Sequence, residues 1–284
     1  MGGSWSAYAA TCHDQRRRSK ENNTFFEIYR SVSLRQHPHF PIIIWLGSGC
    51  LLVFLMVLLG GATRLTNSGL SMVNWSPTGS VPPFSQQDWE IEFSAYKESP
   101  EFKLINKQFR LEDFKNIYWL EFVHRMTGRL TGLVFIFPFL YFLIRKKFPP
   151  GFTTKLLLLL LLGISQGALG WFMVKSGLQK NPHVSHYRLT AHLVMALLLF
   201  AYIFWLLLDL LNKGRQIHFS KSVKRLTYLI FVLLIVQIIY GGLVAGLKAG
   251  YLFQTFPKMG SAWIPEMSVP ELKWRVITEG HVAV

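Results

Sequence analysis

The sequence is poor in cysteine, in acid, and, along its longest segments, in charge of either sign. Only two cysteines occur, Cys12 in the N-terminal arm and Cys50 inside an apolar run, so no disulfide pair joins the exposed loops, and cysteine usage leaves the redox compartment open. Asp and Glu number 15 against 30 Lys and Arg. In a soluble chain a formal charge of +15 suggests a nucleic-acid partner. Here the cations flank apolar runs, where they set membrane orientation instead, and no nucleic-acid partner is expected. Residues 1–40 carry Arg16, Arg17 and Arg18 but lack the apolar core of a secretory signal, and the arm reads as a divergent mitochondrial presequence.

What the chain has in quantity is apolar length. About twenty apolar residues cross a ~30 Å hydrocarbon core, and three segments reach that length without a charge: 42–63, 156–174 and 226–247. Segment 189–208 is equally apolar and holds His192 near its start. Segment 117–144 carries Glu121, His124, Arg125 and Arg129 in its first half. The expected fold is an all-α integral membrane protein with about five transmembrane helices. It comprises one four-helix bundle, residues 41–213, and the first helix of a second within 214–284.

Orientation follows from the loops. With the N-terminus on one side, that side receives fifteen basic residues against four acidic ones, whereas segment 64–116 on the other has six basic and seven acidic. The positive-inside bias places the N-terminus inside and the tail outside. The outer segment contains Pro82-Pro83 and a mixed-charge stretch, 88–101, with helical spacing, and is expected to fold over the bundle as an amphipathic lid.

A repeat is visible at an offset of 181 residues, where Gly60-Gly61-Ala62-Thr63-Arg64 resembles Gly241-Gly242-Leu243-Val244-Ala245. Each is followed by a Gly-bearing turn, then Trp and Pro. A four-helix unit followed by the opening helix of a second copy accounts for it.

The chemistry concentrates in two spans. Glu121, His124, Gly128, Gly132 and, roughly, Arg125 share one face of a helix, and ionisable residues in a span cost ~2.5 kcal/mol or more unless they meet a partner or a bound group. In the fourth span Arg188 again precedes a histidine, His192, by one turn. Two histidines at similar depth suit axial ligation of a haem iron. Arg125, Arg129 and Arg188 would face its propionates, and Gly128 and Gly132 would let a flat macrocycle approach the backbone. The blander reading makes each histidine an interhelical hydrogen bonder. For Glu121 the choice is between a counter-ion to Arg125 and a proton relay above the cofactor. His183 and His186 read as a polar connection and His281 as tail, while Gln166-Gly167 and Gly170-Trp171 read as close-packing positions.

These residues resemble a known family. Residues 60–72 (GGATRLTNSGLSM), Trp119 to Arg129, 166–178 (QGALGWFMVKSGL) and Tyr187-Arg188-Leu189-Thr190-Ala191-His192 are similar to haem A synthase, and most of all to its mitochondrial form; Phe256 to Gly260 and Trp263 to Glu266 extend the resemblance. It implies an eight-helix inner-membrane enzyme of two four-helix halves. That enzyme oxidises a ring methyl of haem O to a formyl group with oxygen and supplied electrons, from a ferredoxin-like donor, for cytochrome c oxidase and its assembly factors. His124 and His192 match the pair associated with substrate haem, and Glu121 a glutamate implicated in the reaction. The implied location is the mitochondrial inner membrane with the N-terminus in the matrix, and association with a second copy is one arrangement.

Two departures bear on that expectation. Residues 269–284 (VPELKWRVITEGHVAV) match nothing in the motifs that hold haem b in the second half, so a C-terminally truncated chain without a haem b site is expected. Lys248 stands where the pattern tends to be acidic. Alternatives therefore remain: a non-catalytic haem-binding or assembly protein, an inactive fragment, or an ending that belongs to an incomplete gene model.

Overall fold

The computed structural model describes residues 37–74, 81–179, 182–212 and 219–248, together with Lys258 and Trp263. The expectations for the N-terminal arm, His281 and residues 269–284 lie outside the described residues. The chain forms two units, 1–44 and 45–284. In the first, the His39 amide donates to His37 Nδ1 at 3.2 Å and the Phe40 amide to the His37 carbonyl at 2.9 Å, which opens helix α1 (Phe40–Leu65). The rest of α1 and every later element belong to the second unit.

Among the described residues six further helices follow: α2 (Gln86–Lys97), α3 (Pro100–Leu104), α4 (Leu111–Ile144), α5 (Phe152–Gly177), α6 (His186–Asn212) and α7 (Lys221–Gly246). Five of the seven, α1 and α4 to α7, are long and apolar enough to cross a membrane, so the all-α membrane fold and the five spans hold.

Helix α4 begins ahead of the expected residue 117 because its start is well capped. Glu112 and Asp113 oppose the helix dipole in the first turn, and the Arg110 amide donates to the Asp113 carboxylate at 2.9 Å. Its 34 residues extend about 51 Å, well beyond a ~30 Å hydrocarbon core. The first turns therefore stand clear of the apolar layer and carry the lid. Met72, Trp89, Phe93, Tyr96, Phe114 and Tyr118 form one core there, with Tyr96 stacked on Phe114 at 5.0 Å and Trp89 edge-on to Tyr118 at 5.1 Å. The lid is two helices rather than one stretch. Ser85 and Asp88 make a capping box for α2, and Ser99 caps α3 with Pro100 at its first position, where a missing N–H costs nothing.

In the spans α5 packs on α6 and α6 on α7. Pro138 lies inside α4 and cannot donate to the carbonyl four residues before it. That carbonyl, Val134 O, instead accepts from the Trp45 indole of α1 at 2.9 Å. Helix α7 meets α6 through glycines, with Gly242 against Thr190 and Gly246 against His186. His186, expected in a polar connection, opens α6.

The repeat is expressed in the structure. Helices α1 and α7 are both 26 residues long, and both of their ends are offset by the 181 residues that separate Arg64 from Ala245. Each helix is followed by a left-handed residue at the same register, Asn67 at φ 51° and Lys248 at φ 53°.

Candidate functional site

The site begins at the end of α1. With Asn67 left-handed, the Ser68 amide reaches back to the Thr63 carbonyl at 3.0 Å, a helix stop in which Asn substitutes for Gly. The turn sends Ser71 and Met72 across to α4. There Glu121, 2% exposed, receives Ser71 Oγ at 2.7 Å and the Met72 amide at 2.9 Å on one oxygen, and the Arg125 guanidinium on the other. Arg125 also donates to the Met72 carbonyl at 3.0 Å. The pair expected from their spacing is present, and in addition it fastens the chain after α1 to the helix that carries His124.

One turn on, His124 points at α1, where a Cβ on Gly60 would lie 3.4 Å from its Nε2. His192, on α6, points at α5, where a Cβ on Gly170 would lie 2.9 Å from its Cε1. The two sequence-selected histidines thus lie on two different helices, and each ring occupies clearance left by a glycine of a third or fourth helix. Those glycines were missed as site residues, although Gly60 lies in the repeat and Gly170 in a glycine-rich stretch. The glycines chosen for macrocycle approach behave differently. A Cβ on Gly128 would lie 3.4 Å from Met56 Cε, and Gly132 has nothing within 4 Å.

Gln166 of α5 was also missed. Its amide nitrogen lies 3.4 Å from His192 Nε2. Among the described residues, His192 Nδ1 and Gln166 Oε1 are buried with no hydrogen-bond partner. A buried imidazole nitrogen without a protein partner leaves room for a ligand there, and among the described residues no three His, Cys, Asp or Glu side chains cluster as a metal site. A pair of imidazoles is the protein donor set that an iron already held by a macrocycle takes, so the residues present fit a haem.

The arginines divide. Arg125 is engaged with Glu121 and Met72. Arg188 donates to the Phe172 carbonyl at 2.8 Å and lies over the Phe172 ring at 3.5 Å, tying α6 to α5. Arg129 Nη1 lies 3.6 Å from Met126 Sδ.

Residues 43–284, which include all of these positions, match the family described as cytochrome oxidase assembly protein. The chain belongs to this family. The match runs to residue 284, past Glu266, where the motif resemblance stops. Among relatives of this cytochrome oxidase assembly family, a protein named haem A synthase from Nitrosospira multiformis is 48% identical over 236 residues, covering 82% of this chain and 65% of its own length. Haem A synthase from Flavobacterium psychrophilum is 51% identical over 223 residues, covering 77% and 65%. That from the Wolbachia of Culex pipiens is 45% identical over 247 residues, covering 86% and 75%. The first two show that the chain spans about two thirds of the length of such relatives. All three are bacterial, so they carry the family assignment but not the mitochondrial form. No solved structure matches the chain.

Proposed function

We propose that this chain carries the substrate side of a haem A synthase, a membrane oxidoreductase that converts a ring methyl of haem O to a formyl group with oxygen and supplied electrons. The observation that carries the proposal is that His124 and His192, on two apolar helices, each lie in clearance left by a glycine of a neighbouring helix, with a buried nitrogen of His192 left open. The names of the relatives supply the reaction. In this reading the two histidines hold the haem iron, and Arg129, Arg188 and the remaining guanidinium nitrogens of Arg125 face the propionates. Arginine suits that place because its planar fork pairs bidentately with carboxylate and keeps its charge in apolar surroundings.

Glu121 acts as counter-ion and anchor. Its oxygens already accept from three donors, which supports holding the outer chain against α4 more than moving a proton. Helix α7 opens a second half related to the first, and haem b belongs to that half in the resemblance. The basic N-terminal arm and the excess of basic residues on its side support a mitochondrial inner-membrane location with the N-terminus in the matrix. A ferredoxin-like donor, cytochrome c oxidase assembly factors and self-association belong to the same reading.

The test is to purify the chain in detergent with haem, record its visible spectrum and iron-to-protein ratio, and repeat with His124→Ala and His192→Ala. One low-spin haem per chain, lost in both variants, is expected; binding indifferent to both would overturn the site. Turnover of haem O with oxygen and a reductant then separates the enzyme from a haem-holding assembly protein.

A further inference from the structure

His192 has two contacts on α5, and they lie one turn apart. Gly170 is so close that a Cβ would sit 2.9 Å from the ring's Cε1, nearer than real Cβ atoms come, and 3.5 Å from each nitrogen. Gln166 brings its amide to 3.4 Å from Nε2 and leaves Nδ1 without a partner. Residues four apart share a helical face, so α5 presents to the imidazole one surface with a gap and a polar group above it. Two other glycines of that helix, Gly163 and Gly167, have nothing within 4 Å, and Gly177, at its end, meets Leu70 and Val184 instead. Glycine at position 170 is therefore matched to the ring and not to general helix packing.

We propose that Gln166 and Gly170 are positioning residues for His192, with Gly170 supplying the clearance that sets the ring's depth and Gln166 the hydrogen bond that fixes its rotation: with the amide turned end for end, Oε1 accepts from the Nε2–H and leaves the Nδ1 lone pair for the iron. A ligating histidine commonly has its second nitrogen held by an outer partner, which orients the ring and tunes its donor strength. In water several groups compete for that place; within apolar helices a single amide has few competitors. The role rests on the reading of His192 as a haem ligand. Gly170 acts by shape alone, because any side chain there must move the ring or the helix, and α5 and α6 are packed along their length.

The full chain is purified in detergent, loaded with ferric haem, and followed by visible absorption and by the g values of its low-spin electron paramagnetic resonance signal. Wild type is compared with Gly170→Ala, Gln166→Leu, Gly163→Ala and His192→Ala. Both glycine variants gain the better helix former, so a general effect on α5 would appear in both. Expected are loss of the bis-imidazole signal in His192→Ala, wild-type spectra in Gly163→Ala, and shifted g values with haem affinity reduced about ten- to a hundredfold in Gly170→Ala and Gln166→Leu, the loss that outer partners of metal ligands commonly show. If His192→Ala loses the signal while Gly170→Ala and Gln166→Leu keep wild-type g values, the proposal is overturned and the haem site stands. If only one of those two is unchanged, that residue loses the role. If His192→Ala matches wild type, the haem reading itself falls. Should Gly170→Ala fail to fold, Gln166→Leu, close in size and adding no clash, decides.

Discussion

Replacing Glu121 and Arg125 one at a time and then together tests whether this pair anchors the outer chain. In Glu121→Met the Arg125 guanidinium, with 12% of its side chain exposed, is left without its counter-charge, and Ser71 Oγ and the Met72 amide lose their acceptor. Breaking one side of a buried ion pair costs about 3–5 kcal/mol, and Arg125→Met should cost a similar amount because it strands the carboxylate. The double variant removes both charges and leaves only the neutral donors and the Met72 carbonyl unpaired, worth about 1–3 kcal/mol. It should therefore be more stable than either single variant, and less damaged than the sum of the two by more than about 3 kcal/mol, far outside the additivity of independent sites. Unfolding in detergent followed by tryptophan fluorescence gives the three energies, and amide exchange at Met72 locates the loss. Single variants as stable as wild type, or a double variant equal to their sum, would refute the anchoring role.

Trp45→Phe should destabilise the protein by about 1–3 kcal/mol, since the Val134 carbonyl freed by Pro138 loses its only indole donor; adding Pro138→Ala, which restores the helix bond, should recover most of that in the same unfolding assay. Burial in the lid pushes the Glu101 carboxyl up to about 7, helped by the charge of Glu121 and opposed by the Tyr96 hydroxyl bond and by Lys248. Its folded value thus lies above the ordinary ~4.3, so the lid's stability is complete below that ordinary value, falls as pH rises toward about 7, and levels off above, by about 4 kcal/mol at most. Exchange of the Ile105 and Asn106 amides, which donate to the Glu101 carbonyl at 2.9 and 3.0 Å, should report the fall once corrected for intrinsic rates, and Glu101→Gln should flatten it; protection that grows with pH would contradict the reasoning. Lys248→Gly should gain about 1 kcal/mol by relieving a left-handed side chain, whereas Asn67→Gly should change less, because Asn tolerates that conformation; thermal unfolding of the two variants compares them.

The spans were legible because lipid leaves a chain little choice: every backbone group must be satisfied within a helix, and uncharged runs of sufficient length announce that. The Glu121 and Arg125 pair was legible because four residues make one turn. Harder to read was everything that depends on which face of a neighbouring helix comes opposite. Ser71 and Met72 reach Glu121 across about fifty residues of sequence, a contact set by the Asn67 stop and by no local period. Gly60 and Gly170 carried a signal of the wrong kind, since a glycine in a span says that something approaches closely but not what. Gly128, read as room for a macrocycle, has the Met56 side chain 3.4 Å from where a Cβ would sit.

The repeat shows how a weak sequence signal gains weight from independent geometry. Paired glycines at helix ends are common, and five aligned positions of which only the two glycines are identical carry little alone. The structure adds helix bounds that share the offset at both ends, and a left-handed residue at the same register after each. Arg64 then donates to the carbonyl of Ala245 at 2.6 Å, the residue that the offset makes its own counterpart. Two related positions touch each other only beside the axis that relates their copies, just as a residue of a two-fold interface meets its mate only at the two-fold. The C-terminal ends of α1 and α7 therefore lie at that axis. Gly60, which faces His124, lies one helical turn from Arg64, so His124 is built against the same helix end that joins the two copies. A change that shifts this end, such as Arg64→Met, should reach both the α7 terminus and the His124 ring. Amide exchange at Leu247 and Lys248 together with the low-spin haem signal would register it, and a variant that moved one readout without the other would break the link.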